Sequence, residues 1–182
     1  MSISLRGIKK GLSTKISKCI ALLSAEFTSL NYTIYFYESR EKFEKEHIEK
    51  PEMKDEQYTQ ILNGVIETSG VTIGEKGKIK IFLFLFDDVK KDPNEVIKLI
   101  GNIYHEIRHA WQNEKGLFKD EEELYTIDGN LEEYYSLPSE KDAYRFQEEK
   151  MQTYGNEILK IFGFNFGIHY QLKPEIKKVI DS

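Results

Sequence analysis

The chain has 182 residues, a formal net charge of −5, one cysteine and 40% hydrophobic residues. At roughly 100–200 residues per domain, this length predicts a single domain that is large enough to fold without disulfides. We therefore expect one domain spanning residues 1–182. The lone cysteine, Cys19, excludes an intramolecular disulfide and a zinc site made only of cysteines. A mildly acidic chain is not typical of a nucleic-acid-binding protein, whose pI usually exceeds about 9, so we expect no nucleic-acid partner.

The N-terminal segment carries apolar residues at helical spacing over residues 3–27. This spacing predicts an amphipathic helix within residues 1–28 that packs on the rest of the domain. A basic amphipathic helix that lies on a membrane is the less favoured alternative. The longest apolar run, residues 81–86, is far shorter than the roughly 20 residues that span a membrane. The apolar stretch at residues 19–23 is too short for a signal peptide, and no clean cleavage site follows it. We therefore expect a cytoplasmic protein that does not associate with a membrane.

The middle of the chain is predicted to form strands and a short helix. Residues 31–37 are aromatic and β-branched, which is typical of a strand, and residues 56–68 have the spacing of a helix. Residues 71–73 and 78–86 are predicted as two strands joined by a glycine-bearing turn. The charged residues 38–56, which include His47, are expected on a solvated surface.

Two long helices are predicted in the second half. The first covers residues 93–113, because Asp92 is a good N-cap, Pro93 fits the first helical position and Gly116 is a plausible stop. After an acidic connection at residues 121–135, Pro138 begins a second helix that reaches about residue 162. The predicted fold is therefore α+β, with a small twisted sheet of about three to five strands and a two-helix half.

The first long helix contains the pattern H-E-x-x-H at His105, Glu106 and His109. Residues four apart lie one turn apart on the same helix face, so both imidazoles can reach one metal ion. Glu106 is offset by about 100° around the helix, where it can contact a water molecule on the ion rather than the ion itself. The pattern predicts a zinc site, and a solvated polar face is the alternative.

A catalytic zinc needs a third protein ligand and one open position. The metzincin pattern is excluded, because Gln112 and Lys115 stand where its glycine and third histidine would be. Glu140, near the start of the second long helix, is the preferred third ligand, and Asp142 is its rival. The alternative for Glu140 is to stabilise the helix N-terminus by its charge alone.

With these residues, the sequence resembles the zincin metallopeptidases of the gluzincin type. In particular it is similar to the ImmA/IrrE-like family, whose second motif is a Glu-x-x-Ala-x-x-Phe helix that matches Glu140, Ala143 and Phe146. The resemblance covers about residues 78–150, and Gln147 departs from the alanine that usually follows the motif.

The resemblance implies a single zincin-like metallopeptidase domain that hydrolyses peptide bonds in a peptide or protein substrate. Zn²⁺ would be bound by His105, His109 and Glu140, and Glu106 would act as general base on the zinc-bound water. The substrate would lie as an added strand along a sheet edge, at or near the strand at residues 78–86. The alternative is a catalytically silent zincin-like module that binds a protein partner.

Two further roles stay open at the level of sequence. Peptide hydrolysis needs a hydrogen-bond donor for the developing oxyanion, and its candidates are Tyr134, Tyr135, Tyr144 and His169. Ligating histidines usually donate their other N–H to an acceptor, for which Asp128 and Asp142 are the candidates.

Overall fold

The computed structural model describes residues 2–63, 69–121 and 131–182, and within them it has the predicted α+β composition. Its strands are β1 (Ser4–Arg6), β2 (Thr33–Tyr37), β3 (Gly70–Ile73) and β4 (Lys78–Phe82). Its helices are α1 (Lys10–Ile20), α2 (Ala25–Thr28), α3 (Arg40–Glu49), α4 (Asp55–Asn63), α5 (Pro93–Lys115), α6 (Leu131–Ser136), α7 (Pro138–Phe162) and α8 (Pro174–Ile180). Among the described residues, no helix is long and apolar enough to cross a membrane.

The four strands form one mixed sheet in the order β1-β2-β4-β3. β1, β2 and β4 are parallel, and β3 pairs antiparallel with β4, which confirms the predicted hairpin. β4 therefore lies between β2 and β3. Of the two predicted placements, at the sheet edge or near it, the strand that begins at residue 78 takes the second, because β3 occupies the edge next to α5.

β4 is also shorter than predicted. It ends at Phe82, and a single 3₁₀ turn at Leu83–Leu85 follows. Ile79 and Ile81 pack into the main core, and Phe82 packs into a second cluster on the other side of the sheet, because successive side chains of a strand point to opposite faces. The turn breaks this alternation, so Leu85 packs with the second cluster rather than with the main core.

The predicted single helix over residues 3–27 is wrong. The segment forms β1, α1 and α2, because pairing of β1 with β2 overrides the local apolar spacing. Gly7 makes the turn between β1 and α1 with a φ of +83°, and a Cβ atom at this position would lie 2.3 Å from the carbonyl oxygen of Phe36. Only glycine allows the chain to pass this close to β2.

The main core lies between one face of the sheet and the helices α1, α5 and α7. Its fully buried residues include Ile16 of α1, Ile103 of α5 and Ile158 of α7. A second cluster around Phe43 and Phe82 covers the opposite face of the sheet. A third cluster joins α6 to α8 through Tyr135 and Ile180. α5 is thus held on the sheet on one side and against α7 on another.

The charged segment at residues 38–56 is mostly exposed, as expected, but His47 within it is not. α3 occupies residues 40–49 of it, and His47, predicted to be solvated, is 9% exposed. The imidazole of His47 stacks on Tyr58 with ring centroids 3.9 Å apart, and its Nε2 lies 3.0 Å from Asp55 Oδ1. The predicted helix at residues 56–68 is confirmed as α4 up to Asn63, and residues 64–68 lie outside the described residues.

Candidate metal centre

α5 carries the H-E-x-x-H pattern, and its ends form as the sequence predicts. The Asp92 carboxylate accepts a hydrogen bond of 2.8 Å from the backbone N–H of Asn94. Gly116 ends the helix in the left-handed conformation with a φ of +68°. Since the apolar side of α5 packs in the main core, His105 and His109 lie on the side that faces α7.

The two histidines and Glu140 of α7 converge on one point. The Nε2 atoms of His105 and His109 lie 3.1 Å and 3.2 Å from the two carboxylate oxygens of Glu140, and 3.0 Å from each other. Two ligands of a tetrahedral zinc at about 2.0–2.1 Å would lie about 3.3 Å apart. The three side chains therefore form a mostly buried group that could hold one metal ion.

Two buried polar atoms of this group have no hydrogen-bond partner among the described residues. They are Oε2 of Glu140, despite its 3.1 Å approach to His105 Nε2, and Nδ1 of His105. A buried carboxylate oxygen without a partner costs free energy. A cation bound beside Glu140 would offset that cost, which favours a metal site over an isolated His–Glu pair.

Packing of α5 against α7 explains how Glu140 reaches the histidines. Ala143, one turn after Glu140, is fully buried, and its small side chain lets the two helices approach. The start of α7 is also held from outside, because the Glu121 carboxylate accepts hydrogen bonds from the backbone N–H of Ser139, at 2.8 Å, and from its hydroxyl. Glu121 therefore fixes both the backbone and the side chain of Ser139, the residue that precedes Glu140.

Asp142, the rival third ligand, does not reach the group. Its carboxylate instead accepts two hydrogen bonds from the Arg108 guanidinium, at 2.7 Å and 2.9 Å. Asp128, the other candidate for an outer partner of the histidines, lies outside the described residues.

Glu106 lies beside the three ligands without belonging to their group. Its Oε2 accepts a hydrogen bond of 2.7 Å from the Thr72 hydroxyl of β3. Gly70, also on β3, leaves room for this side chain, because a Cβ atom there would lie 2.8 Å from Cγ of Glu106. The edge strand thus fixes where the Glu106 carboxylate points.

The charges of the site act on one another strongly. Burial raises the pKa of Glu106 above its usual range, although His109 and His105 oppose the shift. Burial also opposes the charged form of His109, but the nearby Glu140 carboxylate overcomes it and raises the pKa of His109 to about 9. Burial disfavours the Glu140 carboxylate as well, yet His109 and His105 hold the pKa of Glu140 well below its usual range.

Two cavities of about 470 Å³ and 850 Å³ border the metal site, and both are lined by Gly70, Glu106 and Tyr134. The smaller one is lined by His105, and the larger one by His109, Glu140 and the strand β3. The shared residues place Glu106 where the two cavities meet.

The four candidates for the oxyanion donor differ in placement. Tyr134 lines both cavities, whereas Tyr135 and Tyr144 line the smaller one. The Tyr144 ring also contacts the His105 ring, with centroids 4.4 Å apart. His169 lines neither cavity; it is exposed, and its Nε2 lies 3.2 Å from the Gln171 amide.

Sequence reasoning did not single out Gly70, Thr72 or Glu121. They meet the site only through the tertiary fold, and no spacing rule connects them to the motif. Gln112 entered only as a reason to exclude the metzincin pattern, although its position three residues after His109 places both on one helix face. That spacing could have identified it as a partner of His109.

Comparison with known proteins gives no relative from which to transfer a function. No protein-family model, curated protein or solved structure matches the chain. The resemblance to the zincins through residues 105–109 and 140–146 therefore stays a prediction.

Metal binding should release a proton from His109. At pH 7 the metal-free imidazole is protonated, because its pKa is about 9, and an ion can bind Nε2 only after that proton leaves. We expect this release of about one proton per ion to fade as the pH rises through 9. Calorimetric titration of zinc in buffers of different ionisation enthalpy measures it, with His47→Ala as the control. Release that stays constant from pH 7 to 10 would contradict the assignment.

Proposed function

We propose that the chain is a zinc-dependent peptidase of the zincin type. The observation that carries this proposal is Glu106, a buried carboxylate that lies beside a His-His-Glu group but outside it, where two cavities meet. A site that served structure alone would have no use for such a group. In a hydrolase, the same carboxylate would take a proton from an attacking water.

Zinc suits the three side chains by their chemistry. Two imidazole nitrogens and one carboxylate form a ligand set of known catalytic zinc sites, and three protein ligands leave a position open. When bound, zinc makes a water molecule more acidic and polarises a carbonyl group. The remaining steps belong to residues of this chain.

Glu106 is the proposed general base. Its raised pKa makes the carboxylate a better proton acceptor than an ordinary glutamate. The hydrogen bond from Thr72 to Oε2 leaves Oε1 to receive the proton. The proton would then pass to the amine that leaves when the peptide bond breaks.

A peptide is the proposed substrate, because a sheet edge borders the site. β3 pairs with β4 on one side and, among the described residues, has no strand partner on the other. Residues 70–73 of β3 line the larger cavity together with His109 and Glu140. An extended peptide can add to such an edge by main-chain hydrogen bonds, which brings its backbone carbonyls next to the metal ligands.

Tyr134 is the proposed donor to the oxyanion. Of the four candidates it alone lines both cavities, and it lies close enough to Glu140 for the charge of that carboxylate to act on its hydroxyl. Burial, together with the Glu140 charge, raises the pKa of Tyr134 well above its usual range, so the hydroxyl keeps the proton that it must donate.

The first test is Glu106→Gln, assayed on fluorescently labelled casein with zinc content measured in parallel. Loss of a general base should lower the rate roughly 10²–10⁴-fold, while the ligands still hold about one zinc per chain. His105→Ala is the contrasting variant and should lose both zinc and activity. Full activity in Glu106→Gln would show that Glu106 is not the general base. A wild-type chain that binds zinc yet cleaves no peptide would indicate the silent, partner-binding module instead.

Tyr134→Phe tests the oxyanion donor. Removing one such donor typically costs roughly 10²–10³-fold in kcat, and zinc content and KM should change little. Tyr135→Phe is the matched control, since it removes the same hydroxyl from a neighbour that lines only the smaller cavity. Equal losses in the two variants would show that Tyr134 has no special role.

Gly70→Ala tests whether the edge strand positions the base. The added methyl group would displace the buried Glu106 side chain, and a misplacement of about 1 Å can cost about 10²-fold in rate. We expect zinc to be retained while kcat falls. Gly11→Ala is the control, because a Cβ atom there meets nothing within 4 Å. Activity equal to wild type in Gly70→Ala would refute the positioning role.

A further inference from the structure

A buried glutamine lies behind His109, on the side away from Glu140. Gln112 is 3% exposed, and its Oε1 lies 2.8 Å from Nδ1 of His109. Its Nε2 donates two hydrogen bonds, to Oδ2 of Asp142 at 2.7 Å and to the backbone carbonyl of Ser139 at 3.0 Å. All the hydrogen-bonding groups of the amide are therefore engaged.

These partners determine which way the amide points. The Ser139 backbone carbonyl can only accept a hydrogen bond, so the NH₂ group of Gln112 must face it. The Asp142 carboxylate on the same side already accepts two hydrogen bonds from Arg108 and accepts this one as well. Oε1 of Gln112 must then face His109. Because Oε1 can only accept, Nδ1 of His109 must carry a proton.

Asp142 is itself held in place by Arg108. The guanidinium makes two hydrogen bonds to the carboxylate, and its Cζ lies 4.0 Å from the Trp111 ring centroid and 5.2 Å from that of Phe146. A planar guanidinium stacked on aromatic rings has little freedom to turn. The chain of contacts runs from this fixed cation through Asp142 and Gln112 to a metal ligand.

We propose that Gln112 is a positioning residue for the metal site: oriented by Asp142 and Ser139, it keeps a proton on Nδ1 of His109 and so presents Nε2 as the ligand atom. This role rests on the proposed function, because it requires that His109 bind a metal ion. In this arrangement Asp142, which is not a ligand itself, orients Gln112 from outside the metal group. It also distinguishes the two histidines, since Nδ1 of His105 has no hydrogen-bond partner among the described residues.

Zinc affinity of Gln112→Leu, measured by chelator competition, is the first test. Loss of an outer partner of a ligating histidine typically weakens metal binding about 10–100-fold, and we expect a loss of that size. Gln152→Leu is the matched control, because it makes the same change at an exposed position of α7, and it should bind zinc as the wild type does.

A pair of substitutions tests the direction of the hydrogen bonds. Gln112→Glu keeps an acceptor for His109 but sets a second carboxylate against Asp142, so zinc binding should weaken. Adding Asp142→Asn replaces one of those carboxylates by an amide that can donate. The double variant should therefore bind zinc more tightly than Gln112→Glu alone. A double variant that binds no more tightly than that single variant would contradict the assigned orientation.

A spectroscopic measurement separates positioning from general damage to the fold. In the zinc-loaded protein, the Nδ1 proton of His109 should give a slowly exchanging NMR signal, and Gln112→Leu should lose that signal while Gln152→Leu keeps it. Unchanged zinc affinity and an unchanged signal in Gln112→Leu would overturn the role of Gln112 and leave the proposed function intact. A wild-type chain that binds no divalent ion would overturn both.

Discussion

The candidate metal centre is built around one buried electrostatic contact, the approach of the Glu140 carboxylate to His105 and His109 between α5 and α7. A carboxylate taken out of water is strongly destabilised unless opposite charge compensates it. Here two imidazoles lie 3.1 Å and 3.2 Å from its oxygens. Without a metal ion, His109 compensates the carboxylate by keeping its proton, and a bound cation would take over that role. Folding and metal binding are therefore linked through the same three side chains.

The groups at and beside this contact are held by residues from several segments of the chain. Glu121 fixes the turn of α7 that carries Glu140, and Thr72 of β3 fixes Glu106. Gln112 of α5 joins His109 to Asp142 of α7. A site whose supporting residues lie on several packed elements keeps its geometry more closely than one built on a single loop. The proposed hydrolytic mechanism would need such an arrangement, because its base and its oxyanion donor would have to be in position when the substrate binds.

Much of the fold could be predicted from the chain itself where local rules decide. Asp92, Pro93 and Gly116 define the ends of α5, and Gly163 ends α7 in the left-handed conformation. The N-terminal segment could not be predicted in this way, since its apolar residues fit a helix while pairing with β2 draws Ser4–Arg6 into a strand. β4 shows the same limit, because the 3₁₀ turn after Phe82 interrupts an alternation that the sequence continues to residue 86.

Local sequence patterns are enough to predict that His105, Glu106 and His109 share one helix and that the two imidazoles face the same side, because helix-end signals and the period of an α-helix fix both. They do not determine the choice of Glu140 over Asp142, the position of β3 beside Glu106 or the orientation of Gln112. These were decided by the packing of α5 against α7 and β3, which joins residues about 30 positions apart in the chain. Local periodicity carries no information about such contacts, since it describes which face a residue occupies but not what that face will meet.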